Sequence, residues 1–234
     1  RDEFVSIVSH ELRSPLTPIR GFAQVVAREL QKEGGHQHLV DWLQTLQRHA
    51  DRMTRLVDDL LDVSRLRAGR LEIRRGPTDL VKVCQSVIES RMHASEGHDI
   101  VLISKLDEIL ANVDGDRILQ VLDNLVGNAV KYTESGQITI EIGTSPDETD
   151  ALIVVRDQGN GIPQEEREYL FNPFYRSRRA SESAVPGLGL GLFICSELIQ
   201  AHDGTIEIDD APGGGTAFSI VLPRNIPIQA RISA

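Results

Sequence analysis

A histidine near the start of the chain has neighbours suited to nucleophilic chemistry. His10 lies in the stretch FVSIVSHELRSPLTPIRGF, directly before the carboxylate of Glu11. A neutral imidazole is a competent nucleophile, and a neighbouring carboxylate can fix its tautomer and accept its proton. Pro15 and Pro18 follow, and each removes a helical hydrogen bond. The pattern predicts a reactive His10 beside a kink that lets the helix bend toward a partner.

The helical wheel of this stretch places His10 on the solvent side. Six apolar residues and Pro15 gather on one face, and His10 falls about 160° from its centre, near Ser14. Most histidines in helices are core or surface bystanders. That interpretation is retained for the remaining histidines: His36, His38, His49, His93, His98 and His202.

A second set of polar residues repeats along DGDRILQVLDNLVGNAVKY. Asn124 and Asn128 are one helical turn apart, with Lys131 following on the same side, opposite a buried apolar face. A polar helix face is usually just solvated. Carboxamides at this spacing could instead hold hydrated Mg²⁺ and phosphate oxygens.

Two glycine-rich segments follow. VVRDQGNGIP ends a strand at Asp157 and turns on Gly159 and Gly161, either as a plain turn or as a loop whose aspartate accepts a hydrogen bond from a nucleobase amine. FNPFYRSRRASESAVPGLGLGLF ends in alternating glycines that open a helix, where backbone amides can approach phosphates. No P-loop motif is present, which excludes a P-loop NTPase.

The first half of the chain must position His10. Residues 1–66 have helical periodicity, broken at residues 31–38 by two glycines, which predicts a helical hairpin. The second arm carries a four-and-three apolar repeat: Leu39, Leu43, Leu46, Ala50, Met53, Val57 and Leu60. Trp42, Leu56 and Leu61 widen this stripe beyond what one hairpin partner can cover. We therefore predict a dimeric four-helix bundle.

The second half alternates strand and helix patterns, which predicts an α+β domain with one mixed sheet and helices on one face. Predicted strands are RLEIRR, HDIVLIS, ILANV, QITIEIG, ALIVVRD, GTIEID and GGTAFSIVLP. Predicted helices cover residues 79–92, 114–132 and 190–201.

Composition narrows the class of protein. The 234 residues carry a formal net charge of −10, which argues against sequence-independent binding of nucleic acid or of an anionic membrane. Cys84 and Cys195 lie in apolar helical patterns and fit buried free thiols in a reducing compartment. No apolar run reaches the roughly 18 residues of a membrane helix. We expect a cytoplasmic fragment without membrane contact, preceded by an upstream region that could carry a sensor or a membrane segment.

Five motifs follow one another along the chain: SHELRSPL, DNLVGNAVKY, DQGNG, FNPFY and GLGLGL. Over residues 4–222, the sequence resembles a two-component sensor histidine kinase, with its phosphoacceptor box, asparagine box, first glycine box, phenylalanine box and second glycine box. The resemblance implies a dimeric helical bundle followed by an α/β sandwich ATP-binding domain of the type shared with gyrase, Hsp90 and MutL. It divides the chain into a phosphotransfer hairpin (1–67), a linker (68–76), a catalytic ATP-binding domain (77–223) and a tail (224–234).

The resemblance also assigns roles. It implies that His10 attacks the γ-phosphate of ATP, that Glu11 orients and deprotonates it, and that the phosphoryl group then passes to an aspartate of a response-regulator receiver domain. Asn124 and Asn128 would hold Mg²⁺ and phosphate, and Asp157 would bind adenine. The further nucleotide contacts would be Lys131, Tyr132, Gly159, Gly161, Ile162, Phe174, Arg176, Gly187, Leu188, Gly189, Leu190 and Gly191, with residues 175–186 as a mobile lid.

One position departs from the family pattern, and two other functions remain open. Relatives that also dephosphorylate their regulator often carry Thr or Asn where this chain has Ser14, so phosphatase activity is a hypothesis based on the remaining hydroxyl. An ATP-driven clamp of the gyrase or Hsp90 type would share the nucleotide fold, but it does not require an exposed histidine such as His10 on a kinked dimeric helix. A degenerate kinase acting as a dimeric scaffold would bind nucleotide without labelling His10.

Overall fold

The computed structural model describes residues 16–26, 28, 39–92, 97–178, 180 and 187–225. Among these residues, packing separates two compact units. The first holds the described residues up to Arg70 together with residues 187–190, and the second holds the others. None of the helices in the described ranges is long and apolar enough to cross a membrane.

The described residues of the first unit include the helices α1 (described over 16–26) and α2 (Leu39–Arg67). Helix α2 ends at Arg67, one residue beyond the predicted helical region of residues 1–66. Gly69 has a φ of +61°, the left-handed conformation that favours glycine after a helix, and its amide donates to the Leu66 carbonyl at 3.0 Å. The two arms of the predicted hairpin are thus helical, and the predicted turn at residues 31–38 lies outside the described residues.

Helix α2 keeps part of its apolar stripe exposed. Leu43, Val57 and Leu61 are 52%, 44% and 48% exposed, although Leu56 and Val63 are buried. Leu43 and Val57 belong to the predicted four-and-three repeat, and Leu61 belongs to the residues that widen it. An apolar stripe of this kind is expected to bury itself against a further helical surface.

The described part of the second unit combines two sheets with helices. In chain order the elements are β1 (Gly76–Asp79), α3 (Leu80–Met92), β2 (His98–Ser104), β3 (Leu110–Val113), α4 (Gly115–Tyr132), β4 (Gly136–Thr144), β5 (Asp150–Arg156), α5 (Gln164–Arg167), α6 (Gly191–Gln200), β6 (Thr205–Asp210) and β7 (Thr216–Pro223).

The larger sheet has the strand order β2-β4-β5-β7-β6. Strands β2 and β4 are parallel and the other neighbours are antiparallel. In-register partners such as Ile140 and Val155, or Ile153 and Ile220, are buried on one face. Helices α3 and α6 each pack against α4, and these helices cover the sheet. The predicted mixed sheet covered by helices is confirmed.

Strands β1 and β3 form a separate two-stranded antiparallel sheet, so the prediction of one single sheet was wrong. The prediction of a strand at RLEIRR was also wrong, because residues 71–75 are not in a strand. The backbone amide of Arg74 donates to the Asp114 carboxylate at 2.9 Å, and Arg75 pairs with Asp203 at 2.7 Å. These contacts tie the segment to helix ends, and the strand starts only at Gly76.

Candidate functional site

Helix α4 presents the two asparagines. Asn124 and Asn128 lie on successive turns, beside a face made of buried residues such as Leu122 and Leu125. Both side chains are half-buried, and neither carboxamide hydrogen-bonds to another described residue. Two half-buried carboxamides one turn apart, with no hydrogen bond to another described residue, are available to a ligand. Their oxygens are the hard donors that Mg²⁺ accepts.

The start of helix α6 lies against Asn124. A Cβ added at Gly191 would sit 2.5 Å from Asn124 Nδ2 and 2.6 Å from its Oδ1. Only glycine leaves room for the carboxamide at this place. The structure thus brings the asparagine box together with the first residue of α6, where free backbone amides favour anions.

Side-chain hydrogen bonds fix the start of helix α4. At its start, Asp114 caps the Arg117 amide, and the Asp114 amide donates to Nε2 of His202 at 3.0 Å. The other nitrogen of that ring, Nδ1, lies 2.7 Å from the Leu198 carbonyl. Burial lowers the pKa of His202, which favours the neutral ring that this acceptor role requires. His202 thus connects the end of α6 to the start of α4.

The other end of α4 carries Lys131 and Tyr132. The Lys131 ammonium lies 5.3 Å from the centre of the Tyr132 ring. Burial raises the pKa of the Tyr132 hydroxyl, and the positive charge of Arg176 opposes that rise. Lys131, Tyr132 and Arg176 therefore form one electropositive group at the end of the helix.

Asp157 organises the loop after β5. Its Oδ1 accepts hydrogen bonds from the Gly159 amide at 2.8 Å and the Thr216 amide at 3.0 Å. The Asp157 amide donates to the Thr216 carbonyl at 2.9 Å. The side chain is 8% exposed, and Oδ2 makes no hydrogen bond within the described part of the chain. The carboxylate is therefore held by one oxygen and offers the other.

Gly159 brings this loop against the end of α4. A Cβ at Gly159 would meet the Tyr132 carbonyl at 2.7 Å, Asp157 Oδ1 at 3.1 Å and Thr133 Oγ1 at 3.2 Å. Gly161 has a φ of +66°, which favours glycine. Both glycines are required by close approach or conformation, as a pocket-forming loop would need.

Two threonines were not among the predicted site residues. Thr133 is 4% exposed and its Oγ1 has no hydrogen-bond partner among the described residues. A buried hydroxyl without a partner is costly unless a ligand or water supplies one. Thr216, preceded by Gly215, fixes Asp157 from β7. The run GGGT before β7 was the available sequence signal, and nothing local marked Thr133.

For the other predicted nucleotide contacts, the structure gives a backbone angle, the burial or a single hydrogen bond. Arg167 holds the Ile162 carbonyl at 3.0 Å, and Phe174 has a φ of +68° in a turn. Arg176 donates to the Ala180 carbonyl. Gly189 has a φ of +68°, and Leu188 and Leu190 are buried, while Gly187 is half-buried. The rest of the predicted lid, residues 179 and 181–186, lies outside the described residues.

The predicted catalytic residues of the hairpin, His10, Glu11 and Ser14, also lie outside the described residues. Within the described ranges, no group of three or more His, Cys, Asp or Glu could hold a metal ion. The carboxamides of Asn124 and Asn128 remain the predicted metal ligands. A hard cation with a mostly hydrated shell needs few protein ligands.

Comparison with known proteins identifies both parts of the chain. Residues 113–226 match the family described as histidine kinase-, DNA gyrase B-, and HSP90-like ATPase, and residues 1–69 match the His Kinase A (phospho-acceptor) domain. The sensor histidine kinase WalK of Bacillus subtilis is 36% identical over 229 residues, which is 95% of this chain and 36% of that protein. The chain spans about a quarter to a half of the length of the first curated relatives.

Solved structures give the same result. The histidine kinase AdeS of Acinetobacter baumannii has a TM-score of 0.68 and 25% identity, covering 93% of this chain and 98% of that one. Full-length ShkA in complex with AMPPNP has a TM-score of 0.67 and 29% identity, covering 94% of this chain and 45% of that one. Together with the two family matches, these similarities show that the chain belongs to the two-component histidine kinases and comprises their catalytic core.

Proposed function

We propose that this chain is an ATP-dependent protein histidine kinase that phosphorylates His10 and passes the phosphoryl group to an aspartate of a response-regulator receiver domain. The observation that carries the proposal is that the carboxamides of Asn124 and Asn128 make no hydrogen bond to any other described residue, and that Asn124 packs on Gly191 at the start of α6. An amide pair with a helix N-terminus suits a metal-bound triphosphate.

Asp157 recognises the base. Its Oδ1 is held by two backbone amides, so Oδ2 is positioned to accept a hydrogen bond from the exocyclic amine of adenine. A guanine presents a carbonyl at that place and would leave the carboxylate facing an oxygen. The buried hydroxyl of Thr133 is available beside Asp157 for a further polar contact, direct or through water.

The phosphates lie along α4 toward α6. Asn124 and Asn128 would hold Mg²⁺, Lys131 and Arg176 provide positive charge, and the amide of Gly191 is available to phosphate oxygens. Gly187 and Gly189 remain phosphate contacts predicted from the glycine motif. When bound there, Mg²⁺ would neutralise charge that develops on the phosphates during transfer. The protein's own contribution is to orient the triphosphate and to exclude competing water.

His10 is the acceptor. A neutral imidazole nitrogen forms a bond to the γ-phosphorus as the bond from that phosphorus to the β,γ-bridging oxygen breaks, and ADP leaves. Glu11 holds the ring and accepts its proton. The phosphohistidine then transfers the group to a receiver-domain carboxylate. Ser14 retains a hydroxyl for a second role, the dephosphorylation of that regulator.

The chain acts as a homodimer in this proposal. Leu43, Val57 and Leu61 of α2 and Leu16 and Val25 of α1 are at least 40% exposed, which supports the burial of these helices in a four-helix bundle with a second copy. We also place this part of the protein in the cytoplasm, where ATP and receiver domains are available.

The test is to incubate the purified chain and its His10→Gln and Asn128→Ala variants with γ-labelled ATP and Mg²⁺. We expect acid-labile, alkali-stable label on the parent chain and none on either variant, with both variants still dimeric by light scattering. Label retained by His10→Gln would refute the acceptor. Tight ATP binding without any label would favour the clamp or the scaffold instead.

A further inference from the structure

We propose that Arg91 of α3 is a positioning residue for the Mg²⁺-binding asparagines of α4, an inference that rests on the function proposed above. Arg91 lies on another helix and belongs to none of the sequence motifs. Its guanidinium contacts the segment of α4 from which Asn124 and Asn128 project.

The contact between Arg91 and Asp123 has two parallel hydrogen bonds. Nε donates to Oδ1 and a terminal nitrogen donates to Oδ2, both at 2.7 Å, and the same terminal nitrogen donates to the Asp123 carbonyl at 3.0 Å. The side chains are 21% and 41% exposed. A paired fork of this kind fixes direction as well as distance, which a single lysine contact does not.

Gly127 allows the guanidinium to lie against the helix. A Cβ at Gly127 would be 2.9 Å from an Arg91 terminal nitrogen and 3.3 Å from its central carbon. A glycine inside a helix destabilises it by about 1 kcal/mol relative to alanine. At this position the missing side chain leaves the space that the guanidinium occupies.

The positions of these contacts connect them to the site. Asp123 and Gly127 directly precede Asn124 and Asn128, so the guanidinium lies about 100° around the helix from the two carboxamides. Asn124 is restrained by Gly191 on α6. Arg91 on α3 therefore restrains the same part of α4 that contacts the start of α6 through Asn124. Loss of this restraint lets the turn rotate or fray and lowers the affinity for the metal.

A purely structural ion pair would behave differently. A partly exposed pair contributes no more than about 1 kcal/mol to folding, so removal of Arg91 should leave the domain folded. A structural role would weaken nucleotide binding equally with and without metal. A positioning role would weaken mainly the Mg²⁺-dependent part.

The experiment measures binding of a fluorescent ATP analogue to the whole chain during an Mg²⁺ titration. For Arg91→Ala we expect the half-maximal Mg²⁺ concentration to rise about 10-fold, while affinity in EDTA changes less than 2-fold and the melting temperature shifts by a few degrees. Arg91→Lys should be intermediate. Asp123→Ala should match Arg91→Ala, and the double variant should be no worse than either.

Arg75→Ala is the matched control. Arg75 also pairs with a carboxylate, that of Asp203, and donates to a backbone carbonyl, that of Ala201, but at the far end of α6. We expect its Mg²⁺ titration to match that of the parent chain. An equal shift for Arg75→Ala and Arg91→Ala would overturn the proposal.

Asn128→Ala separates this inference from the proposed function. If Asn128→Ala eliminates the Mg²⁺ dependence and Arg91→Ala leaves it unchanged, the metal site stands and the role of Arg91 is refuted. If Asn128→Ala has no effect on the titration, the metal assignment itself fails. Should Arg91→Ala not fold, Arg91→Lys decides, and an unchanged Mg²⁺ titration for a folded Arg91→Lys chain refutes the role.

Discussion

Replacing Gly191 by alanine tests whether Asn124 must stay where α6 now allows it. The added methyl group would meet the carboxamide of Asn124 and no backbone atom as closely, since its nearest contacts are Nδ2 at 2.5 Å, Oδ1 at 2.6 Å and Cγ at 2.9 Å. A flexible side chain can move away. The substitution therefore displaces a proposed metal ligand without forcing the fold apart.

The magnitude follows from these distances. Ordinary contacts with a Cβ begin near 3.4 Å, so the carboxamide must withdraw by about 0.9 Å. A displacement of about 1 Å in a catalytic geometry can reduce the rate about 100-fold. Alanine in a helix is favoured over glycine by up to about 1 kcal/mol, which offsets the small cost of moving one side chain. We expect autophosphorylation to fall 10- to 100-fold at nearly unchanged stability.

The assay is the initial rate of label incorporation at saturating ATP, across a series of Mg²⁺ concentrations, with thermal unfolding measured on the same samples. Gly143→Ala is the control, because an added Cβ there meets nothing within 4 Å. A Gly191→Ala protein that keeps the parental rate and Mg²⁺ dependence would show that Asn124 can move freely, and the metal assignment of Asn124 would be rejected.

Two further changes test the base contact and a buried charge. Asp157→Asn keeps Oδ1 for the backbone amides but turns an NH₂ group toward the adenine amine. Calorimetry should therefore show ATP binding at least about 10-fold weaker. An unchanged affinity for ATP would mean that the base binds elsewhere. Burial raises the pKa of Asp59 from 3.8 to about 6, with Asp62 and Asp58 adding to the rise. This group's stabilisation is therefore present below about pH 4 and is lost as pH rises through about 6. This shift corresponds to about 3 kcal/mol in the free energy of unfolding, and solvent screening of the partly exposed carboxylate reduces that value. Asp59→Asn should therefore stabilise the chain by about 1 kcal/mol at pH 7 in denaturant unfolding. A pH dependence of stability that the substitution leaves unchanged would contradict this prediction.

Most elements of the second unit could be predicted because their patterns are local. Alternating apolar residues in QITIEIG and ALIVVRD mark strands with one buried face. The observed bounds of β4 and β5 differ from those two runs by one residue at each end. Helix α4 was predicted from its apolar stripe and its start at Asp114. RLEIRR has the same alternation, yet its last residues bind a helix cap and a helix end. Periodicity cannot distinguish these outcomes, because the competing partners are distant in sequence.

Some residues of the candidate site could likewise be predicted from the local sequence, and others could not. Asp157, Gly159 and Gly161 could be identified from one short motif, because a strand end and a tight turn are adjacent in the chain. Thr133 could not, because its hydroxyl is significant only after the loop of Asp157 packs over the end of α4. Its burial without a partner is a property of the folded chain alone.

Gly127 shows how a local rule and the tertiary structure can point in opposite directions. By helix propensity it is a weak position in the middle of α4, and an alanine there would be expected to stabilise an isolated helix. In the folded domain the same alanine would push against the guanidinium that reaches across from α3, a residue 32 positions from Asp123 in the chain. The lower propensity is thus offset by a contact with the segment of α4 that carries both asparagines. The glycine has a physical reason only together with Arg91.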